Sequence, residues 1–243
     1  MTALYDEIGR GYREFRRPDP RIEQVIRAGF GSAASVLNVG AGAGSYEPPD
    51  RKVVAVEPSM TMIRQRSVAA ARVVQGTAVA LPFRDEAFDA SLALLTLHHW
   101  PDQRRGLQEL GRVSRGRVVI LTWDPSAAGF WLAGYFPEIF DIDRPNFPSL
   151  EELRRELGPI CVSEVPVPHD CTDGFLGAYW RRPAAYLDAR ARAAISSFSK
   201  LHDLEPGLHR LRSDLESGAW QRRNGHLLSQ TCLDLGYRVV VTV

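Results

Sequence analysis

The stretch that decides the fold runs from residue 35 to residue 57. It reads Ser35-Val-Leu-Asn-Val-Gly-Ala-Gly-Ala-Gly-Ser45 and then, after a short break, Val53-Val-Ala-Val-Glu57. Short apolar, β-branched runs bounded by turn residues are typical of buried parallel strands. The glycines follow the first run, where they permit a sharp turn and let a ligand approach main-chain N–H groups. Glu57 ends the second run, where its carboxylate can accept two hydrogen bonds from a ribose diol. The stretch predicts an α/β fold with a nucleoside site.

The glycine spacing distinguishes between two kinds of nucleoside ligand. Dinucleotide-binding loops usually place the third glycine three positions after the second, whereas here Gly44 comes only two after Gly42. Only residues 40–51 separate the two strands, and Pro48-Pro49 removes two N–H donors and disfavours helical geometry. A long phosphate-binding helix does not fit this connection. The spacing therefore favours a ligand held by ribose hydroxyls, adenine stacking and a zwitterionic tail.

Length and composition disfavour several classes of partner. A chain of 243 residues is within reach of one large α/β domain with an appended cap. Lys and Arg number 30 against 29 Asp and Glu, so no global field attracts the chain to nucleic acid. The three cysteines lack the spacing of a zinc site or a disulfide framework. With neither a signal-peptide pattern nor a transmembrane-length apolar run, we expect a cytoplasmic monomer or homodimer without membrane contact or metal.

Several separate motifs follow one another in the order found in one enzyme family. They are Val-Leu-Asn-Val-Gly-Ala-Gly-Ala-Gly at 36–44, Val-Ala-Val-Glu-Pro-Ser at 54–59, Ala-Leu-Pro-Phe at 80–83, Phe-Asp at 88–89, Leu-His-His-Trp at 97–100 and Glu-Leu-Gly-Arg-Val at 109–113. On these motifs, residues 5–125 resemble the class I S-adenosylmethionine-dependent methyltransferases, specifically the small-molecule enzymes often called type 11. The resemblance implies S-adenosylmethionine as the cofactor and a small molecule as the methyl acceptor.

The resemblance also implies the architecture. It predicts an α/β, Rossmann-like, seven-stranded and mostly parallel sheet with an antiparallel last strand, within a single methyltransferase domain of residues 1–243. Residues 1–30 would form an N-terminal helical segment that folds over the cofactor. Predicted strands at 161–167 and 236–241 would be the sixth and seventh of the sheet. Residues 170–226 are then left as an inserted helical cap.

Candidate cofactor contacts are carried over from the same resemblance. Arg17 would pair with the methionine carboxylate, because a guanidinium binds a carboxylate bidentately. Met60 would pack on the adenine ring, with helical core as the alternative. Thr77 stands where the family commonly has Asp, so its hydroxyl or the Ala78 backbone would serve the adenine amino group. Asn38 likewise replaces the usual acidic residue of the first strand. The remaining candidates are Tyr5, Tyr12, Gly40, Ala41, Gly42, Glu57, Pro58 and Leu94, and the two tyrosines could instead simply pack on the sheet.

His98 and His99 follow the predicted fourth strand, at the edge of the sheet where open parallel sheets bind ligands. Adjacent histidines diverge and no third ligand is evident, so a metal site is disfavoured. With a pKa near neutrality, either could act as general base for a hydroxyl or phenol acceptor. With an amine or carbon acceptor they would only orient the molecule. The candidate substrate-pocket residues are Trp100, Trp123, Phe175, Tyr179 and Trp180, with ordinary core packing as the alternative for the cap aromatics.

The sequence therefore predicts an S-adenosylmethionine-dependent methyltransferase that modifies O, N or C of a small molecule. Two alternatives stay open. One is a nicotinamide-dependent oxidoreductase, which the glycine spacing disfavours. The other is a nucleoside-binding protein that no longer transfers methyl groups, motivated by Asn38 and Thr77.

Overall fold

A computed structural model describes residues 12–127 and 129–243. The described strands are β1 (Ser35–Val39), β2 (Lys52–Glu57), β3 (Arg72–Gln75), β4 (Phe88–Leu94), β5 (Ser114–Trp123), β6 (Ile160–Glu164), β7 (Val167–Pro168), β8 (Cys232–Leu233) and β9 (Tyr237–Thr242). The described α-helices are α1 (Tyr12–Phe15), α2 (Pro20–Gly29), α3 (Met60–Arg64), α4 (Gln103–Val113), α5 (Pro137–Asp143), α6 (Leu150–Leu157), α7 (Ala189–Ala193), α8 (Ser196–Ser199), α9 (Glu205–Glu216) and α10 (Ala219–Asn224).

Seven of the described strands form one sheet in the order β3-β2-β1-β4-β5-β9-β6. Strands β1 to β5 pair in parallel, whereas β9 inserts antiparallel between β5 and β6. The predicted Rossmann-like sheet with an antiparallel last strand is confirmed. The strand order reverses beside β1, so the carboxyl ends of β1 and β4 form the crevice in which such sheets bind ligands.

One predicted strand is shorter than expected. The prediction placed a strand at 161–167, but β6 ends at Glu164. Pro166 has no N–H to donate to a ladder. The chain then leaves the large sheet, and Val167–Pro168 pairs antiparallel with Cys232–Leu233 in a separate two-stranded ribbon.

The core lies on both faces of the sheet, because successive residues of a strand point to opposite sides. On one face, Ile22 and Ile26 of α2 pack with Val119 of β5 in one buried cluster. On the other face, Leu107 of α4 packs with Ile120 of β5 in a second cluster. Strand β5 is thus buried on both sides, as expected for a central strand.

Helix α2 begins after the Pro18-Asp19-Pro20 break that the sequence contains. The Asp19 side chain accepts a hydrogen bond from the Arg21 N–H at 3.0 Å, which satisfies one free donor of the first turn. Pro20 occupies the first helical position, where its missing N–H has no cost. Residues 1–11 of the predicted N-terminal segment lie outside the described part of the chain.

Residues 170–226 consist of four α-helices, α7 to α10, joined by 3₁₀ turns and loops. Their aromatic side chains pack into the cluster that covers one face of the sheet. No helix in the described part of the chain combines the length and apolar character needed to cross a bilayer.

Trp180 and Tyr179, which we placed in the substrate pocket, are core residues of this region. Trp180 is 0% exposed, and its indole N–H donates to the Val167 carbonyl at 3.0 Å. The Trp180 carbonyl accepts from the Trp131 indole at 2.8 Å. Tyr179 packs edge-to-face on Tyr186 with ring centroids 5.6 Å apart. Both residues therefore belong to the core, which was the alternative to a place in the substrate pocket.

The Trp180→Ala substitution should therefore destabilise the protein rather than report on substrate binding. Removing a fully buried indole leaves a cavity and an unpaired carbonyl, so we expect the free energy of unfolding to fall by about 3–5 kcal/mol. Denaturant titration measures this change. Leu228→Ala, at a side chain that is 38% exposed, is the control and should stay within about 0.5 kcal/mol of the parent. A Trp180→Ala variant as stable as that control would contradict the core assignment.

Candidate active site

The glycine loop after β1 has the backbone geometry that its sequence predicts. Gly40 and Gly42 have φ values of 69° and 52°, in the left-handed region that favours glycine. A Cβ at Gly40 would lie 2.1 Å from the Thr96 hydroxyl oxygen, so no side chain fits there. The N–H groups of Gly40 and Ala41 donate to the Val56 carbonyl at 2.9 and 3.1 Å. These bonds tie the loop to the end of β2.

Glu57 lies at the end of β2, directly beside the loop. Its carboxylate is 4% exposed and accepts from the Gly42 N–H at 2.8 Å and from the Ser59 N–H at 2.9 Å. These two bonds fix the carboxylate at the carboxyl end of β2, where the sequence predicts the ribose diol to bind. Glu57 thus also holds the glycine loop in place, a second role that the sequence did not reveal.

Glu47, in the glycine loop, lies beside Asn38 of the first strand. Asn38 stands where the family usually has an acidic residue. The Asn38 amide donates to Glu47 Oε1 at 3.2 Å, and Arg66 pairs with the same oxygen at 2.6 Å. The other oxygen of Glu47 accepts from the Ala71 N–H at 2.9 Å, while Arg66 donates to the Gly42 carbonyl at 3.1 Å. Glu47 therefore supplies an acid beside Asn38 and braces the loop. Sequence reasoning missed it because it lies outside the strand motif.

A small cavity of about 50 Å³ opens at the carboxyl ends of β1 and β4. The predicted cofactor residues that line it are Asn38, Gly40, Ala41, Gly42 and Leu94. Arg16, Tyr46 and Asp173 also line it and were not predicted. The loop, the sheet edge, the N-terminal segment and the cap thus meet at one cavity.

Arg17 is exposed and does not line this cavity, whereas the adjacent Arg16 does. Arg16 Nε donates to Asp173 Oδ1 at 2.5 Å, and the two side chains are 12% and 2% exposed. The Tyr46 hydroxyl donates to the other oxygen of Asp173 at 2.9 Å. The sequence offered two neighbouring arginines and no means to tell which one turns inward. The contact with Asp173, which also forms an isolated antiparallel β-bridge with Arg16, decides it.

Glu57, Pro58, Met60, Thr77 and Ala78, which were also predicted to contact the cofactor, do not line this cavity. Pro58, Met60 and Thr77 are exposed, and Ala78 is buried. The Gly76 N–H donates to the Glu57 carbonyl at 3.2 Å, which brings the ends of β2 and β3 together at the edge that carries Glu57. Tyr5 lies outside the described residues, and for Tyr12 the structure describes only the backbone of α1.

A larger cavity of about 110 Å³ adjoins the first one, and Arg16 and Leu95 line both. Leu95 has φ +47°, an uncommon conformation for a leucine, held by a hydrogen bond from its N–H to the Leu121 carbonyl at 2.8 Å. Of the predicted substrate-pocket residues, Trp123 and Phe175 line this cavity. Trp100 does not line it and instead packs on α4, where a Cβ at Gly106 would lie 2.3 Å from its ring.

His98 and His99 lie in a 3₁₀ turn, and His98 lines the larger cavity. The His98 ring stacks on Phe147 with centroids 4.0 Å apart, and its buried Nδ1 has no hydrogen-bond partner among the described residues. Burial, reinforced by His99 and Lys200, lowers the pKa of His98 well below 6.5. Burial, reinforced by Lys200, lowers the pKa of His99 to about 3. The expected pKa near neutrality was therefore wrong, because both rings are desolvated.

Asp143 is a buried carboxylate in the wall of the larger cavity. It accepts from the Ser197 hydroxyl at 2.5 Å and from Lys200 Nζ at 2.7 Å. Its charge is therefore compensated within the protein. The described residues contain no cluster of three or more His, Cys, Asp or Glu side chains that could hold a metal ion.

Comparison with known proteins agrees with this geometry. Residues 37–121 match the family model described as a methyltransferase domain. A solved structure from Anabaena variabilis, assigned to a methyltransferase of an antibiotic biosynthesis pathway, is 33% identical. The match covers 95% of this chain and 99% of that one, with a TM-score of 0.88.

Two curated relatives match over shorter stretches. An uncharacterized methyltransferase of Bacillus subtilis is 31% identical over 35% of this chain and 39% of its own length. A 2-methyl-6-phytyl-1,4-hydroquinone methyltransferase of Oryza sativa is 32% identical over 33% of this chain and 22% of its own length. The matches thus span less than half of these relatives. With the full-length match to the Anabaena structure and the predicted sheet in place, the chain belongs to the class I S-adenosylmethionine-dependent methyltransferases.

Proposed function

We propose that the protein transfers the methyl group of S-adenosylmethionine to a small molecule bound in the larger cavity. The observation that carries this proposal is the boundary that the two cavities share at Arg16 and Leu95. Methyl transfer is an in-line displacement, so the donor and acceptor atoms must meet across one boundary in a fixed geometry. Two adjoining cavities, one beside the nucleoside-binding elements, provide that arrangement.

The small cavity and its rim have the donors and acceptors that the cofactor requires. Glu57 would accept from the ribose hydroxyls, and the glycine loop at Gly40 and Gly42 would let the cofactor approach the backbone. Arg16 replaces Arg17 as the candidate partner of the methionine carboxylate. When bound, S-adenosylmethionine supplies an electrophilic methyl carbon attached to a positively charged sulfur. The residues present therefore fit this group.

The larger cavity favours a small acceptor. Its volume of about 110 Å³ and its largely apolar wall suit a compact organic group rather than a polymer. One relative named above is a hydroquinone methyltransferase, and the chain has no strong positive charge that would attract nucleic acid. These observations support a small-molecule acceptor.

The protein's own residues would position the acceptor and keep water out. In methyl transfer the acceptor's nucleophilic atom would displace the donor's sulfur, which would keep the electron pair of the broken bond, so the residues of the larger cavity would have to hold that atom in line with the methyl group. A hydroxyl acceptor would also pass its proton to the neutral imidazole of His98, which lines the cavity. The neutral imidazole of His98 can accept a hydrogen bond from such a group at the cavity wall. Aromatic residues around it exclude the water that would compete for that position.

Two measurements test the proposal. Calorimetric titration with S-adenosylmethionine should show binding, and incubation with small aromatic and polyketide-like acceptors should yield S-adenosylhomocysteine. Binding without turnover on any acceptor would favour the alternative of a nucleoside-binding protein that transfers no methyl group. Failure to bind S-adenosylmethionine would overturn the proposal.

Glu57→Gln should weaken S-adenosylmethionine binding by about tenfold or more. The substitution removes the charge that strengthens hydrogen bonds from the ribose hydroxyls, and such bonds contribute about 1.5–3 kcal/mol each. The matched control is Glu109→Gln, because Glu109 is 3% exposed and also accepts a backbone N–H, from Leu81 at 2.8 Å, away from both cavities. Calorimetry compares the two variants. Equal affinity of the folded Glu57→Gln variant and the parent would contradict the ribose assignment.

The stability of the protein should fall as the pH is lowered from 7 to 5. Burial lowers the pKa of His99 to about 3, whereas an unfolded histidine has a pKa near 6.5, so the unfolded state binds more protons in this window. The free energy of unfolding should drop by on the order of 1–2 kcal/mol from this residue. Urea titrations of His99→Gln should show a shallower pH dependence than those of the parent. An unaltered slope in His99→Gln would contradict the buried neutral ring.

A further inference from the structure

We infer that the acceptor is an organic acid, with an aromatic body in the larger cavity and an anionic group bound by Arg144 where that cavity meets solvent. This inference rests on the proposed function and names the chemical class of its acceptor. Three observations carry it: the face of the chain on which Arg144 lies, the lack of a partner for its charge, and the composition of the remaining wall.

Arg144 lies on the face of its segment that lines the larger cavity. The four residues of this segment in the wall have the i, i+3, i+4, i+7 spacing of one helix face: Phe140, Asp143, Arg144 and Phe147. Helical hydrogen bonds continue past the end of α5, because the Phe147 N–H donates to the Asp143 carbonyl at 3.1 Å. Arg144 is exposed although it lies on this inner face. It is therefore placed at the opening of the cavity.

The positive charge of Arg144 has no partner in the part of the chain that the structure describes. Its guanidinium donates no hydrogen bond to a described residue and forms no ion pair with one. A guanidinium binds a carboxylate or phosphate through two parallel hydrogen bonds, and a neutral group cannot replace the attraction between the charges. Arg144 is thus available to an anionic group of a ligand.

The other charges of the wall do not favour a cationic ligand. Among the described residues that line the cavity, Asp143 is the only acid, and it accepts from Lys200 Nζ at 2.7 Å. Arg16, the second arginine of the wall, is paired with Asp173 at 2.5 Å. An ammonium group would find its opposite charge already compensated, whereas an anion would find Arg144.

Ser196 provides a second polar group on the same side of the cavity. The Ser197 hydroxyl donates to Asp143 at 2.5 Å and so joins α8 to the end of α5. Arg144 and Ser196, which follow and precede these two residues in the chain, both line the cavity. The Ser196 hydroxyl forms no hydrogen bond within the described ranges, and a hydroxyl can donate to an anion that a guanidinium also binds.

The remaining wall favours an aromatic body. The described wall includes six aromatic side chains: Trp123, Phe130, Phe140, Phe147, Phe175 and Tyr237. Trp123 lies edge-to-face with Phe147, with centroids 5.5 Å apart and planes at 82°. Such walls present ring faces and ring edges, against which another aromatic ring packs favourably. Because Arg144 is exposed, the anionic group would keep part of its hydration while the body is buried, which avoids the cost of burying a charge.

Three probes that share a fluorinated ring test the inference on the full chain: 4-fluorophenylacetate, 4-fluorophenylacetamide and 2-(4-fluorophenyl)ethylamine. Fluorine NMR titration measures the affinity of each, with S-adenosylhomocysteine present so that no probe occupies the cofactor site. At low salt we expect the acid to bind about fivefold more tightly than the amide, as an exposed ion pair implies, and the amine to bind most weakly. Added salt should reduce the preference for the acid, because it screens an exposed pair.

The Arg144→Gln variant should lose the preference for the acid while the amide still binds. Arg144→Lys should keep part of the preference, because it retains the charge but not the two parallel hydrogen bonds. The matched control is Arg154→Gln. Arg154 is also exposed and without an ion pair among the described residues, but it lines neither cavity, so its replacement should leave the preference unchanged.

Four results would overturn the inference: equal affinity for the acid and the amide, a preference for the amine, a preference for the acid that survives in Arg144→Gln, or no binding of any probe at millimolar concentration. Calorimetry with S-adenosylmethionine separates this failure from that of the proposed function. A protein that binds the cofactor and methylates an uncharged acceptor loses only the organic-acid assignment.

Discussion

The buried carboxylate of Asp173 is the interaction on which the arrangement of the site depends. It is 1% exposed and accepts from Arg16 of the N-terminal segment and from the Tyr46 hydroxyl of the glycine loop. A buried charge is stable only when it is paired and hydrogen-bonded, so these three segments must come together for the fold to be satisfied. The Gly174 N–H donates to the Phe15 carbonyl at 2.8 Å and extends the contact along the backbone. The cap and the N-terminal segment are thereby fixed over the edge of the sheet.

This constraint produces the two adjoining cavities. Arg16, held by Asp173, forms part of both walls, and Leu95 forms the other shared part. Leu95 keeps a left-handed backbone conformation at the end of β4, and such conformations cluster at functional sites where the surrounding structure enforces them. The sheet edge thus supports the smaller cavity, while the cap and the segment after β5 enclose the larger one. Neither cavity is built by a single segment of the chain.

The features that the sequence predicted correctly are those that depend on local patterns of residues. The strands, the glycine loop and Glu57 follow from short apolar runs and turn residues, and the structure places them at one edge as expected. What the sequence did not predict depends on contacts between distant segments. The choice of Arg16 over Arg17 is made by Asp173, more than 150 residues along the chain. The burial of Trp180 and the lowered pKa of His98 depend on which surfaces the cap covers, which no local spacing encodes.

The central claim is that the smaller cavity holds the cofactor and faces the acceptor across Arg16 and Leu95. A crystal structure of the complex with S-adenosylhomocysteine tests it most directly. The account predicts that both ribose hydroxyls lie within hydrogen-bonding distance of the Glu57 carboxylate and that the sulfur faces the larger cavity at Leu95. A nucleoside bound elsewhere, or a sulfur that points away from the larger cavity, would contradict it.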